Sequence, residues 1–295
     1  MGMDIRSVVR DFIAELDIMG RSRETIRAYA NTLYNFLRFC VERLGIDSVE
    51  SIEEEHVREW FKYLRQAKHV SHRSLARHHS ALKQFFNIVL RKSFTLPVPK
   101  YEEKLPDVLD PETVRRMIET AGELEENEFL RIRNKTMLLL AFDCALRLGE
   151  LIRLNVDDVV LEQGLIIVRG KGGTHRAVPI IEDYTKAMLK KYLEIRNQLF
   201  PDKKALFVSL RGERIHPNTV KYVVNKVKRA LGIDKRRGIH LLRHSRATYL
   251  LLSGWNLREV QEFLRHKRIA TTTIYTHITQ QYLQQKARQT KKLFE

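Results

Sequence analysis

Cysteine is nearly absent from this chain of 295 residues. The two cysteines, Cys40 and Cys144, are far apart and do not stand in a C-x-x-C spacing. Both lie in helical apolar patterns, where an isolated cysteine behaves as a small buried hydrophobic residue. The sequence therefore predicts neither a disulfide framework nor a cysteine-based zinc site, and it favours a reducing compartment.

Long apolar runs are missing as well. A membrane-spanning helix needs about 18 or more consecutive apolar residues, and no such stretch occurs. The opening sequence, MGMDIRSVVRDFIAELD, carries acidic side chains where a secretory signal has a basic patch followed by an apolar stretch. We therefore expect a cytoplasmic protein with no membrane partner.

Acidic residues are scarce in the last third of the chain. Residues 203–295 hold 21 basic and 5 acidic side chains, whereas residues 1–202 hold 32 basic and 31 acidic ones. Such a one-sided excess repels itself unless a polyanion is near, and duplex DNA carries a phosphate charge about every 1.7 Å. The charge therefore predicts DNA as a partner; a basic surface without function is the alternative that charge alone leaves open.

Apolar residues recur at the helical period in four stripes before residue 95, which predicts four helices in a small bundle. Ser22 and Ser71 precede the second and fourth stripes as candidate N-caps. The stripes contain Val8, Val9, Phe12, Ile13 and Leu16; Ile26, Tyr29, Leu33, Phe36, Leu37 and Cys40; Ile52, Val57, Trp60, Phe61 and Leu64; and Leu75, Leu82, Phe85, Phe86 and Val89.

Prolines then interrupt the helical pattern at positions 97, 99 and 106. The chain length suits two domains, so we predict a domain at 1–95, a linker at 96–110 and a second domain at 111–295. Asp110 and Pro111 are the N-cap and first residue of the next helix.

The second domain is predicted to be mostly helical with a small β-sheet. Residues 164–168 and 176–180 read as two strands on either side of the glycine-rich segment 170–173, which is typical of a hairpin tip. Residues 205–209 are expected to add a third strand. The predicted fold class is therefore mainly α.

Two candidate functional residues in this domain have ordinary alternatives. Lys171 lies in the glycine-rich hairpin tip, where a solvated turn residue is common, and the spacing of the glycines excludes a P-loop. Arg147, in CALRLGEL, lies in an otherwise apolar helical pattern, where an unpaired guanidinium is costly to bury. Its alternative is a salt bridge to Glu150 three residues later.

Further candidates follow in HLLRHSRAT and beyond. On a helix His240, Arg243 and His244 share one face. A zinc site at the two histidines is an alternative, but the glutamate of H-E-x-x-H is absent. His266 and Tyr275 come later, and a lone tyrosine near a chain end is often only a packing residue.

Taken together, these residue types suit one reaction, an in-line displacement at a phosphodiester. Two arginines can hold its oxygens, a histidine can act as a base, a lysine can protonate a leaving alkoxide, and a tyrosine can be the nucleophile. Metal-dependent nucleases need several carboxylates, which the last third lacks. We therefore predict neither a metal nor a cofactor.

The motifs ALRLGEL, VRGKGG, HLLRHSRAT, LRH and IYTH occur in the order and spacing of a tyrosine recombinase of the phage-integrase family. The chain resembles the Xer-type members most, over essentially its whole length. The resemblance implies an N-terminal DNA-clamping, SAM-like core-binding domain, a linker and a catalytic domain. It also implies a C-terminal helix, at about 280–292, that is exchanged between protomers; packing on its own domain is the alternative.

The resemblance also implies a role for each candidate. Tyr275 would be the nucleophile that forms a 3′-phosphotyrosyl bond, and Lys171 the general acid. The remaining roles are Arg147 and Arg243 as phosphate clamps, His240 as general base and His266 as phosphate ligand. The expected function is resolution of chromosome or plasmid dimers at a double-stranded DNA site by a tetramer on two duplexes, in a nucleoid-associated protein.

One position departs from the family pattern. The family usually has glycine before the second histidine, where this chain has Arg265, and we expect Arg265 to contact phosphate directly. Other functions stay open: an integrase of a mobile element, a type IB topoisomerase, or an architectural DNA-binding protein without catalysis. The target sequence and any accessory protein cannot be read from the residues.

Overall fold

The computed structural model describes residues 4–101, 107–170, 175–234 and 238–265. The chain forms two compact units, Met1–Glu103 and Lys104–Glu295, and each unit has its own hydrophobic core. Lys171, His266, Tyr275 and the predicted helix at about 280–292 lie outside the described residues. Among the described helices, none is long and apolar enough to cross a membrane.

The first unit is built from four α-helices, as the apolar stripes predicted. The Ser22 hydroxyl accepts a hydrogen bond from the Thr25 amide, and the Ser71 hydroxyl accepts one from the Ser74 amide, so both predicted N-caps form. The helices are α1 (Ile5–Ile18), α2 (Arg23–Leu44), α3 (Glu54–Gln66) and α4 (His72–Phe85), and a π-helical turn (Phe86–Leu90) follows α4.

The second unit is mostly helical and is organised around one buried helix. Its described helices are α5 (Pro111–Glu123), α6 (Glu128–Asp143), α7 (Leu148–Arg153), α8 (Asp183–Leu199), α9 (Pro217–Ala230), α10 (His240–Leu252) and α11 (Leu257–Phe263). Residues 136–143 of α6 are buried on every side, as expected of a helix that is apolar all round. Helices α5, α8 and α10 pack against α6.

A three-stranded antiparallel sheet lies beside these helices, with strand order β1 (Val159–Val160), β2 (Leu165–Arg169), β3 (His175–Pro179). In the register, Ile166 stands opposite Val178 and Val168 opposite Arg176. The predicted hairpin is therefore confirmed.

The predicted third strand at 205–209 is wrong, because β1 takes the third place in the sheet. Residues 205–208 make only isolated bridges. The carbonyl oxygens of this segment accept hydrogen bonds from side chains: Arg196 donates to Ala205 O, Tyr192 to Leu206 O and Arg133 to Val208 O. Carbonyls bonded in this way do not form a regular ladder with another strand.

Helix α10 is fixed to the start of the second unit. The Leu109 amide donates to Ser245 Oγ at 2.9 Å, and the Tyr249 hydroxyl donates to Leu109 O. Leu109 is itself buried in the core of this unit. These bonds determine the position of the helix that carries His240 and Arg243.

Candidate active site

Arg147 is the N-cap residue of α7, and it does not lie inside a helix as the apolar pattern suggested. Helix α6 ends at Asp143, and residues 144–146 form a turn in which Ala145 has a left-handed φ of 46°. Arg147 is extended, with ψ at 154°, before the chain becomes helical again. The side chains of the turn are as apolar as those of α6, so the sequence pattern hid the break.

Glu150 holds Arg147 in two ways. Its Oε1 accepts a hydrogen bond from Arg147 Nη1 at 2.6 Å, and its Oε2 accepts one from the Arg147 amide at 2.9 Å. The ion pair considered as the structural alternative for Arg147 is therefore present. The Arg147 side chain is still 37% exposed, so a ligand can reach this side chain from solvent.

Arg243 approaches the same carboxylate from α10. Its Nη1 lies 3.8 Å from Glu150 Oε2, and its two terminal nitrogens donate to Ala145 O and Leu264 O. Its side chain is 4% exposed. The fold thus brings together the two arginines that the resemblance assigned to phosphate binding.

Arg265 points into the protein, as Arg243 does, and the structure gives no support to the expectation that Arg265 contacts phosphate directly. Its Nη2 donates to Glu150 Oε2 at 3.0 Å and to Ala145 O at 2.9 Å, and its Nη1 donates to Phe263 O at 2.7 Å. Its backbone is left-handed, with φ at 56°. These buried acceptors bond the two terminal nitrogens of a guanidinium that would be costly to bury unpaired, whereas its buried Nε has no hydrogen-bond partner among the described residues.

Three guanidinium groups therefore surround one carboxylate, an arrangement that we name the arginine cluster: Arg147, Arg243, Arg265 and Glu150. Burial alone would raise the pKa of Glu150, but the charge of Arg265, the Arg147 amide and the Arg147 guanidinium outweigh it and hold the pKa at about 2. Three cations and one anion leave a local excess of positive charge. Such an excess attracts a phosphate group.

His240 is the first residue of α10, one helical turn before Arg243. Its side chain is exposed, whereas Arg243 is buried and His244 is partly buried. Residues three apart lie on one helix face, so His240 marks the solvent side of the face that carries Arg243. The part of the chain that the structure describes holds no group of three potential metal ligands.

Two of the remaining predicted site residues, Lys171 and His266, are close in sequence to described residues. Strand β2 ends at Arg169 and strand β3 begins at His175, so Lys171 belongs to the segment that joins the two strands. Helix α7 packs against β2. His266 directly follows Arg265, the last described residue.

A second ion-pair network, which the sequence reasoning missed, supports the turn before Arg147. Arg246 Nη2 lies 2.7 Å from Asp143 Oδ1, and Arg246 Nη1 lies 2.9 Å from Glu182 Oε1. Asp143 also accepts the amides of Ile181 and Glu182. Burial raises the pKa of Asp143, and the Glu182 amide and Arg246 oppose that rise. The available signal was a second arginine three residues after Arg243 in an otherwise apolar helix.

We expect the Glu150→Gln variant to be less stable than the wild type by roughly 3 kcal/mol at pH 7, because each unit of pKa depression is worth about 1.4 kcal/mol. The pKa of Glu150 falls from 4.5 to about 2 on folding. Its contribution is therefore complete above pH 4.5 and is lost as the pH falls through about 2. At pH 3 the deficit of the variant should be about half as large.

The measurement is urea unfolding of the second unit, followed by Trp255 fluorescence. The chain has two tryptophans, so a Trp60→Phe background leaves Trp255 as the reporter. A deficit that is equal at pH 7 and pH 3 would contradict the depressed pKa of Glu150.

Two family signatures cover most of the chain. Residues 8–93 match the N-terminal SAM-like domain of phage integrases, and residues 107–282 match the phage integrase family. The first match contains α2 to α4 and all but the first three residues of α1, and the second contains the arginine cluster.

Two proteins that are similar to this chain over nearly its full length are both tyrosine recombinases of Xer type. The chain is 32% identical to the tyrosine recombinase XerC of Corynebacterium glutamicum over 287 residues, which are 95% of this chain and 90% of that protein. It is 34% identical to the tyrosine recombinase XerD of Oceanobacillus iheyensis over 283 residues, 92% of this chain and 93% of that protein.

A solved structure has a similar fold. The XerH site-specific recombinase bound to a palindromic difH substrate, in a post-cleavage complex, superposes with a TM-score of 0.74 at 25% identity. The match covers 89% of this chain and 78% of that chain.

Proposed function

We propose a strand-exchange mechanism from the premise that this chain belongs to the phage integrase family and is a site-specific recombinase of Xer type. In this proposal it binds a double-stranded DNA site, cleaves one strand through a 3′-phosphotyrosyl bond, and rejoins the end to a partner strand. Resolution of chromosome or plasmid dimers is the task that we assign to it.

The arginine cluster is the observation that supports this chemistry. Arg147, the N-cap of α7, and Arg243, on α10, meet at Glu150, at 2.6 and 3.8 Å. Guanidinium groups bind phosphate oxygens through two parallel hydrogen bonds, and they stabilise the charge that gathers on those oxygens as the phosphorus is attacked. We assign the scissile phosphate to the exposed edge of Arg147 and to Arg243.

The bonds made and broken follow from the residues. Tyr275 attacks the phosphorus, and the bond to the 5′-oxygen breaks. His240 accepts the tyrosine proton, Lys171 gives a proton to the leaving 5′-oxygen, and His266 donates to a phosphate oxygen. The 5′-hydroxyl of a partner strand then reverses the step on the phosphotyrosyl bond. The ester conserves the energy of the broken bond, so no ATP is consumed.

Exchange of strands between two duplexes needs several protomers at once, and we assign a tetramer to this step. The basic excess of residues 203–295 supplies the attraction to phosphate that holds each protomer on its half-site. The XerH protein, similar in fold, binds a palindromic substrate, which fits a symmetric assembly.

The test is cleavage of a synthetic duplex that carries the host's candidate site and a nick beside the scissile phosphate. The nick lets a short fragment diffuse away, so the covalent adduct accumulates and runs as a shifted band on a denaturing gel. We expect the adduct to form at an equal rate in excess EDTA and in Mg²⁺. A chemical step that depends on added Mg²⁺, or no adduct at all, would overturn the mechanism.

Truncation after Thr279 is expected to leave binding of one protomer to a half-site nearly unchanged, because 17 of the 21 basic residues of the last third remain. It should abolish cooperative assembly on the full site, because the proposed exchange helix at about 280–292 is removed. A gel-shift titration on half-site and full-site duplexes measures both effects. Normal cooperativity in the truncated protein would show that this helix does not link protomers.

A further inference from the structure

We propose that Arg265 is a positioning residue for the cleavage step. It neutralises Glu150 and ties the turn before Arg147 to the segment that leads into His266, so that Arg147 keeps part of its guanidinium available to phosphate. This role rests on the proposed function. The proposed role accounts for an arginine at a position where the family usually has glycine.

The contacts of Arg265 join the two segments directly. Its side chain donates to Ala145 O in the turn after α6 and to Phe263 O at the end of α11, at 2.9 and 2.7 Å. Its own carbonyl oxygen accepts a hydrogen bond from Arg147 Nη2 at 3.3 Å. One residue thus orients Arg147 through its main chain and braces the turn before Arg147 through its side chain.

The charge balance of the cluster also depends on Arg265. Arg265 Nη2 lies 3.0 Å from Glu150 Oε2, whereas Arg243 Nη1 lies 3.8 Å from it. Of the groups that lower the pKa of Glu150, Arg265 has the largest effect. Without Arg265, only Arg147 and Arg243 would neutralise the buried carboxylate of Glu150. The net charge of the cluster would also fall from +2 to +1, which weakens its attraction for phosphate.

The backbone conformation at residue 265 indicates that the arginine side chain has a role there. A left-handed φ of 56° is strained for a residue with a Cβ and easy for glycine. An arginine here carries that strain and also buries its guanidinium, with its side chain only 6% exposed. The contacts with Glu150 and the three carbonyls of Cys144, Ala145 and Phe263 offset both costs.

Arg265→Met and Glu150→Gln, singly and together, test the role on the nicked duplex. We expect Arg265→Met to form the covalent adduct about 10- to 100-fold more slowly than the wild type. Its half-site binding should stay within about threefold, because one buried charge among many cations adds little to affinity. Since Arg265 and Glu150 act in one bonded cluster, the loss of rate in the double variant should be smaller than the product of the two single losses, whereas independent effects would multiply.

Two further variants keep the test valid if Arg265→Met folds poorly. Arg265→Gly removes the guanidinium but relieves the backbone, and it should cleave slowly despite normal thermal stability. Arg265→Lys keeps the charge and should recover part of the rate.

The matched control is Arg196→Met. Arg196 is also a buried arginine that donates to main-chain carbonyls, those of Phe200, Lys203 and Ala205, but it lies outside the cluster. This variant should lose stability, whereas its folded fraction should cleave at the wild-type rate.

The outcomes separate the two proposals. If the wild type forms no adduct, the proposed function fails. If the wild type cleaves and the double variant shows multiplied losses, or if Arg265→Gly cleaves as fast as the wild type, only the role of Arg265 is overturned.

Discussion

Replacement of Tyr275 by phenylalanine is expected to abolish the covalent protein–DNA adduct completely. The substitution removes only the oxygen that we propose as the nucleophile, so the phosphotyrosyl bond of the proposed mechanism cannot form. Affinity for duplex should be nearly unchanged, because every lysine and arginine of the basic last third remains. The nicked duplex on a denaturing gel measures the adduct, and a gel shift measures the affinity.

Tyr222 provides a matched control, because it is an exposed tyrosine on α9 of the same basic last third. Tyr222→Phe should form the adduct at the wild-type rate. An adduct in Tyr275→Phe would show that another side chain is the nucleophile.

Arg243→Lys is expected to reduce the rate of adduct formation by about 100- to 1,000-fold, which corresponds to the loss of one strong donor to the transition state, roughly 2.7–4 kcal/mol. Arg243 uses its two terminal nitrogens on Ala145 O and Leu264 O beside Glu150. A lysine has one terminal nitrogen, so it keeps the charge but cannot bond both carbonyls and also face a phosphate in the planar geometry of a guanidinium. Single-turnover cleavage measures the rate.

Arg196→Lys serves as the control for this substitution, because it makes the same chemical change in a carbonyl-bonded buried arginine outside the cluster. It should lower the melting temperature without slowing cleavage by the folded protein. A near-normal rate for Arg243→Lys would assign Arg243 a structural role only.

The helices of the first unit were predictable because each buries one face, and burial of one face imposes the 3.6-residue period on the sequence. The hairpin was predictable for a related reason: glycines between two β-branched segments suit a tight turn. The third strand was not. Whether residues 205–208 pair with a strand depends on Arg196, Tyr192 and Arg133, which reach their carbonyls only in the folded unit.

The break at residues 144–146 also escaped the sequence. Cys144, Ala145 and Leu146 are fully buried, and residues 136–143 of α6 before them are buried too, so the buried pattern continues across the break. The helix ends because Ala145 adopts a left-handed conformation, and the side chains of Arg243 and Arg265 hold that turn by donating to the carbonyls of Cys144 and Ala145. The high helix propensity of alanine does not predict that a helix ends at Ala145.

The sequence by itself determined the family, because the candidate residues have the types, the order and the spacing that the family's motifs require. These are properties of residue type and separation along the chain. Only the tertiary structure decided that Arg147 and Arg243 meet at Glu150, and that Arg265 turns inward to join them and not outward to DNA. The direction of a long, flexible side chain depends on which buried acceptors the fold places within its reach, and those acceptors here are carbonyls and a carboxylate from distant parts of the chain.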